Sequence, residues 1–85
     1  MTFRASYSNQ AVRFLKNADK GLAGRILEKI EELSIDPVGG DTKKLQGSKS
    51  LFRVRVGFVR ILYEIDYAGK QIGIVKIDKR DSVYD

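Results

Sequence analysis

Residues 51–64, Leu-Phe-Arg-Val-Arg-Val-Gly-Phe-Val-Arg-Ile-Leu-Tyr-Glu, restrict the fold more than any other stretch of this chain. They read as two strands joined at Gly57-Phe58, and glycine at the first position of a two-residue loop suits a type II′ hairpin. Such a turn pairs Val56 with Val59, Arg55 with Arg60, Val54 with Ile61, Arg53 with Leu62 and Phe52 with Tyr63. Directly paired residues share a face, and faces alternate along each strand. One face is therefore Phe52, Val54, Val56, Val59, Ile61 and Tyr63, a core face. The other carries Arg53, Arg55 and Arg60. Like charges placed directly opposite are destabilising, so stability alone gives no reason for three guanidiniums there.

The rest of the chain supplies the cover for the apolar face. Phe3, Ala5 and Tyr7 alternate with polar neighbours, so residues 2–7 read as a first strand. Ser8 is placed to cap a helix reaching about Asn17, in which Ala11, Phe14, Leu15 and Ala18 follow one buried stripe. Asp19-Lys20-Gly21 interrupts it. A second helix over residues 22–33 turns Leu22, Ala23, Ile26, Leu27, Ile30 and Leu33 inward, and Pro37 stops it. A connector at residues 38–41 and a polar turn at 48–50 precede the arginine hairpin. A last strand spans residues 71–77, and a polar tail follows it. The expected architecture is α+β in the order strand-helix-helix-strand-strand-strand. In it a helical hairpin packs on one face of a small, mainly antiparallel, four-stranded sheet.

Composition then narrows the chemistry. Eighty-five residues, 42% hydrophobic, suffice for one modest core and predict a single domain over 1–85. The chain has no cysteine and no histidine. That rules out a disulfide framework, a metal cluster built on His or Cys, and a Ser-His-Asp triad. Gly39-Gly40 and Gly47 lack the spacing of a phosphate-binding loop. Glu31-Glu32 are neighbours on a helix and do not converge. No apolar run approaches the roughly 20 residues that span a bilayer, and the N-terminus lacks a signal-peptide pattern. A cytoplasmic protein without cofactor is expected.

Sixteen Lys and Arg stand against 11 Asp and Glu, a formal net charge of +5. The segment from Thr42 to Tyr63 contains no carboxylate but holds Lys43, Lys44, Lys49, Arg53, Arg55 and Arg60. A basic strip of this kind favours a phosphate backbone or an acidic protein partner. Lys43, Lys44 and Lys49 also read as a solubilising surface. Lys79 and Arg80 fall just beyond the last strand, where they can approach the arginine face from its side. Tyr84 offers a phenol that can hydrogen-bond or stack on a base, or serve as a packing anchor. Arginines suit stabilisation of charge on phosphate, whereas none can act as a base at working pH.

Taken in order, Lys44-Leu45-Gln46-Gly47, the hairpin 51–57, Arg60-Ile61-Leu62-Tyr63-Glu64-Ile65 and Lys76-Ile77-Asp78-Lys79-Arg80-Asp81-Ser82-Val83-Tyr84 resemble the RelE/ParE toxin superfamily, on its RelE side. The resemblance spans essentially the whole chain. It implies a toxin encoded with an acidic antitoxin that enters the ribosomal A site and cuts mRNA there. The cut is metal-independent, by 2′-hydroxyl attack leaving a 2′,3′-cyclic phosphate. By position it implies phosphate binding by Arg53, Arg55 and Arg60, stabilisation of the leaving oxygen by Arg80, and a catalytic role for Tyr84. Lys43, Lys44, Lys49 and Lys79 become candidate RNA contacts. Many relatives carry Gly-His-Arg where this chain has Asp78-Lys79-Arg80, which puts Lys79 in the histidine's place. Two other readings stay open: a ParE-type inhibitor of DNA gyrase, and a toxin fold that only binds antitoxin.

Overall fold

The computed structural model describes residues 2–45, 47 and 50–79. Five strands and two helices follow one another as β1 (Arg4–Tyr7), α1 (Asn9–Asn17), α2 (Lys20–Ile35), β2 (Thr42–Lys44), β3 (Leu51–Val56), β4 (Val59–Asp66) and β5 (Gln71–Lys79). The sheet order is β1-β5-β4-β3-β2. Among the described residues, only β1 and β5 run parallel. The sheet is thus α+β and mainly antiparallel, as expected, with five strands where four were expected. The added strand is Thr42–Lys44, whose polar sequence hides its pairing with β3.

The arginine hairpin has the register read from its sequence. Val56 pairs with Val59, Arg55 with Arg60, Val54 with Ile61, Arg53 with Leu62 and Phe52 with Tyr63. At the turn Gly57 has φ +59, while Phe58 does not have a positive φ. That combination fits a II′ loop and not a I′ loop, which needs positive φ at both positions.

Both helices cover one face of the sheet. Ser8 caps α1 by accepting a hydrogen bond from the Ala11 N–H at 3.1 Å, and Asp19 caps α2 by accepting from the Leu22 N–H at 2.8 Å. Asp19 is therefore the helix start, and Gly21 lies inside the first turn of α2 instead of breaking the chain. Leu22, Ile26, Ile30 and Leu33 of α2 are buried against Val54, Ile61, Tyr63, Ile72, Ile74 and Ile77. Leu27, expected on this stripe, is 46% exposed. It follows Ile26 by one residue, about 100° further round the helix, and so leaves the contact stripe. Tyr63 is fully buried and donates from its hydroxyl to the Pro37 carbonyl at 2.7 Å. This bond ties the connector after α2 to the centre of the sheet.

One irregularity decides what reaches each face. Between Leu62 and Tyr63 the β4–β5 register shifts: Leu62 pairs with Lys76, but Tyr63 pairs with Ile74. Val75 is the extra residue of a β-bulge. Ile72, Ile74 and Ile77 can then all point at the helices, while Lys76 and Asp78 point away. The bulged edge of β5 is completed by the entry to α1. The Ser8 N–H donates to the Ile74 carbonyl at 2.9 Å, and the Ser8 hydroxyl donates to the Val75 carbonyl at 2.7 Å. The Gln10 amide donates to the Ile77 carbonyl at 2.6 Å and accepts from the Ile77 N–H at 2.9 Å.

Candidate nucleic-acid interface

The sheet face opposite the helices is where the basic residues gather. Two rows cross it. In one, Lys43 pairs with Arg53, Arg53 with Leu62, and Leu62 with Lys76. In the other, Arg55 pairs with Arg60, and Arg60 with Asp78. Pairing across antiparallel strands puts each row on one face, so five cations and one carboxylate share this end of the sheet. Two cross-strand neighbours, Lys43–Arg53 and Arg55–Arg60, are like-charge pairs.

The cations divide into two groups. Arg60 donates from Nε to Oδ1 of Asp78 and from Nη2 to Oδ2, both at 3.4 Å, and Lys76 Nζ lies 3.7 Å from Oδ2. Among the described residues, Lys43, Arg53 and Arg55 make no side-chain hydrogen bond or ion pair. They instead line a cleft of about 290 Å³ together with Asp41 and Val54. Asp41 is itself engaged: Lys29 Nζ sits 2.7 Å from its Oδ2, and this hydrogen bond holds the Asp41 carboxyl below the usual carboxylate range. The same bond raises the Lys29 ammonium above its ordinary value. An anion entering the cleft thus meets three cations without an ion pair among the described residues and a carboxylate already paired with Lys29. Guanidiniums suit phosphate oxygens because they can donate two parallel hydrogen bonds.

The open face changes sign along the strands. At the other end Glu64 and Asp66 line a polar cleft with Ser6, Gln71 and Gly73. A phosphate chain is therefore favoured only over the Lys43–Lys76 half.

The residues singled out in the sequence are not all brought together. Arg53, Arg55, Arg60 and Lys43 share the face. Lys44 pairs with Phe52, a core-side residue, so it leaves the sheet on the helix side. Lys79 does likewise. It pairs with the buried Val59 and lines a groove of about 500 Å³ with Arg13, Phe14, Leu22 and the exposed Phe58. The bulge at Val75 is the cause, since one added residue inverts the facing of everything after it. Lys79 therefore does not approach the arginines from the side. Asp78 and Lys76 stand among them instead, and sequence reasoning missed both. The signal was present: isoleucines at 72, 74 and 77 break strict alternation by one residue. Lys49, Arg80 and Tyr84 lie outside the described residues.

Comparison with known proteins gives concordant similarities. A family model described as ParE toxin of type II toxin-antitoxin system, parDE, matches residues 5–84. The curated protein "Putative toxin RelE1" of Methanocaldococcus jannaschii is 30% identical over 87 residues, covering 99% of this chain and 97% of the relative. A chain in the crystal structure of the archaeal RelE-RelB complex from Pyrococcus horikoshii superposes with a TM-score of 0.86 at 32% identity. That superposition covers 98% of this chain and 100% of the other. A chain of the RelB-RelE antitoxin-toxin complex from Methanococcus jannaschii gives 0.70 at 29% identity, covering 93% and 94%.

Proposed function

This chain belongs to the ParE/RelE toxin family of type II toxin–antitoxin systems, and from that membership we propose that it is a ribosome-dependent endoribonuclease that cuts mRNA in the A site. The observation that carries the reading is the register that sets Lys43, Arg53, Arg55 and Arg60 on one open sheet face. Arg53 and Arg55 grip the scissile phosphodiester at the cleft, and Arg60 takes charge that builds on it. The 2′ oxygen bonds to phosphorus as the bond to the 5′ oxygen breaks, leaving a 2′,3′-cyclic phosphate and a 5′-hydroxyl. The proton of the attacking hydroxyl passes to solvent, and the departing oxygen is stabilised by Arg80 until solvent protonates it. Tyr84 orients the nucleotide. Donors aimed at developing charge are worth several kcal/mol when preorganised, and a rigid hairpin provides that preorganisation.

Lys43 extends the phosphate-binding row, Lys44 and Lys79 serve as ribosomal RNA contacts from the helix side of the sheet, and Lys49 serves as a further RNA contact. Such contacts position without reading sequence. The partner that silences the toxin is an acidic antitoxin, a reading supported by the similar chains having been crystallised as RelE–RelB complexes. The site of action is the cytoplasm, where ribosomes are engaged.

In vitro translation tests the proposal. The wild type should halt it with message cut in the A-site codon, and Arg60→Ala should not; full activity in Arg60→Ala would sink the assignment. A second reading, gyrase inhibition, is favoured by the ParE description of the matching family model. It predicts loss of supercoiling activity with translation and message intact.

A further inference from the structure

The two groups of cations on the open face differ in one respect that matters for a polyanion. Lys43, Arg53 and Arg55 line a cleft and make no ion pair among the described residues. Arg60 and Lys76 both face Asp78, whose two carboxylate oxygens lie 3.4 Å from Arg60 Nε and Nη2, one of them also 3.7 Å from Lys76 Nζ. Arg60 and Asp78 side chains are 23% and 26% exposed, so solvent and ligand can both reach the pair. Their contacts are long for charge-assisted hydrogen bonds, which prefer about 2.7–2.9 Å. The carboxylate therefore sits where a phosphate would, in a contact that a better-matched anion can displace.

We propose that Asp78 is a specificity-determining residue: it is a resident competitor that makes the face respond to a strand of phosphates and not to a single one. This rests on the reading of the face as a phosphate site. A lone phosphate fills the open subsite at Lys43, Arg53 and Arg55 without meeting Asp78. The adjacent subsite, where Asp78 lies between Arg60 and Lys76, is guarded. The next phosphate of a strand already held takes the place of Asp78 beside Lys76 and frees Arg60 to reach the phosphate held at the open subsite. That second phosphate arrives tethered, at an effective concentration of order mM. Neighbouring strands are about 4.8 Å apart, which sets the two subsites close enough for one backbone to span. Discrimination is then a difference of two affinities, created by a repulsive group instead of an added attraction.

The test compares two probes at fixed low salt: inorganic phosphate, and a short RNA strand made uncleavable by 2′-O-methyl sugars. Asp78→Asn should tighten strand binding roughly two- to fivefold, the span a partly exposed ion pair supports, and leave the affinity of the first phosphate, at the Lys43, Arg53 and Arg55 subsite, unchanged. Asp78→Glu, which keeps the carboxylate, should behave as wild type. Glu28→Gln, on the exposed face of α2, controls for net charge and should move neither probe. Equal tightening of both probes, or no change in strand binding, overturns the proposal. If the strand binds wild type and is lost in Arg53→Gln while Asp78→Asn has no effect, only the competitor role fails. If wild type and all variants ignore the strand, the competitor role and the phosphate-site reading fail together.

Discussion

Arg55 and Arg60 face each other directly across the β3–β4 pair, two guanidiniums on one sheet face, one pair in from the turn of the hairpin that organises the fold. Asp78 approaches Arg60 from the opposite strand and offsets part of the repulsion; among the described residues nothing does so for Arg55. Stability and phosphate binding therefore pull in opposite directions at residue 55. Arg55→Thr should stabilise the fold by about 0.2–1 kcal/mol, the range of a cross-strand pair, because threonine suits a strand and removes the like charge. The same change should lower message cleavage about 10²-fold, the effect of losing one preorganised donor. Urea denaturation and the translation assay on one preparation check both. A destabilised or fully active Arg55→Thr protein contradicts the trade-off.

The turn is a second point at which sequence chemistry fixes geometry. Gly57 has φ +59, and a Cβ built there meets nothing within 4 Å. Any cost of Gly57→Ala is thus conformational, not steric contact with the rest of the protein. It should destabilise by about 1–2 kcal/mol, the cost of left-handed geometry for an L-residue. Gly57→Asn should cost less, since asparagine tolerates this region. Equal denaturation midpoints for Ala and Asn would show that the turn relaxes instead.

Much of this is legible in the amino-acid sequence. Strict alternation around Gly57-Phe58 gave the hairpin register, and Ser8 and Pro37 marked where α1 begins and α2 has ended. The arginine face followed from the same alternation. What escaped was whatever period-two reasoning cannot see. Thr42–Lys44 pairs with β3 through backbone groups, so its polar side chains carry no sign of a strand. The broken alternation of Ile72, Ile74 and Ile77 marks an irregularity in β5, but its position at Val75 depends on how β5 meets both β4 and the entry to α1, a tertiary relation. Its consequence is large, because it exchanges Lys79 for Asp78 on the basic face.

Beyond that bulge β5 is held by Gln10, whose side-chain amide both donates to the Ile77 carbonyl and accepts from the Ile77 N–H. It behaves like one more strand residue supplied by a helix. Gln10→Ala leaves two partly buried backbone groups unpaired and should destabilise by about 1–3 kcal/mol. Gln10→Glu should retain the acceptor and lose the donor, giving an intermediate loss. Amide exchange locates the effect: the Ile77 N–H should lose protection in Gln10→Ala while Ile61, in the centre of β4, keeps it. Uniform loss across the sheet would mean that Gln10 acts on global stability alone.

Tyr63 links stability to pH. Burial pushes its phenol above the ordinary value of 10.0, with a hydrogen bond to Thr42 acting the other way. Burial likewise raises Tyr7. The native state thus holds these protons more tightly than the unfolded chain does. The stability they contribute is fully present below about pH 10 and is lost as pH rises through the folded values. Tyr63→Phe should cost about 1–3 kcal/mol at neutral pH, because the buried Pro37 carbonyl loses its donor. It should also flatten the alkaline decline, since a group that cannot ionise contributes no slope. Tyr7→Phe should leave neutral stability nearly unchanged, its ring being 37% exposed. Urea midpoints between about pH 8 and pH 11 distinguish the two variants. A Tyr63→Phe protein that declines as steeply as wild type would place the alkaline sensitivity elsewhere, in Tyr7 or in the Lys29–Asp41 pair.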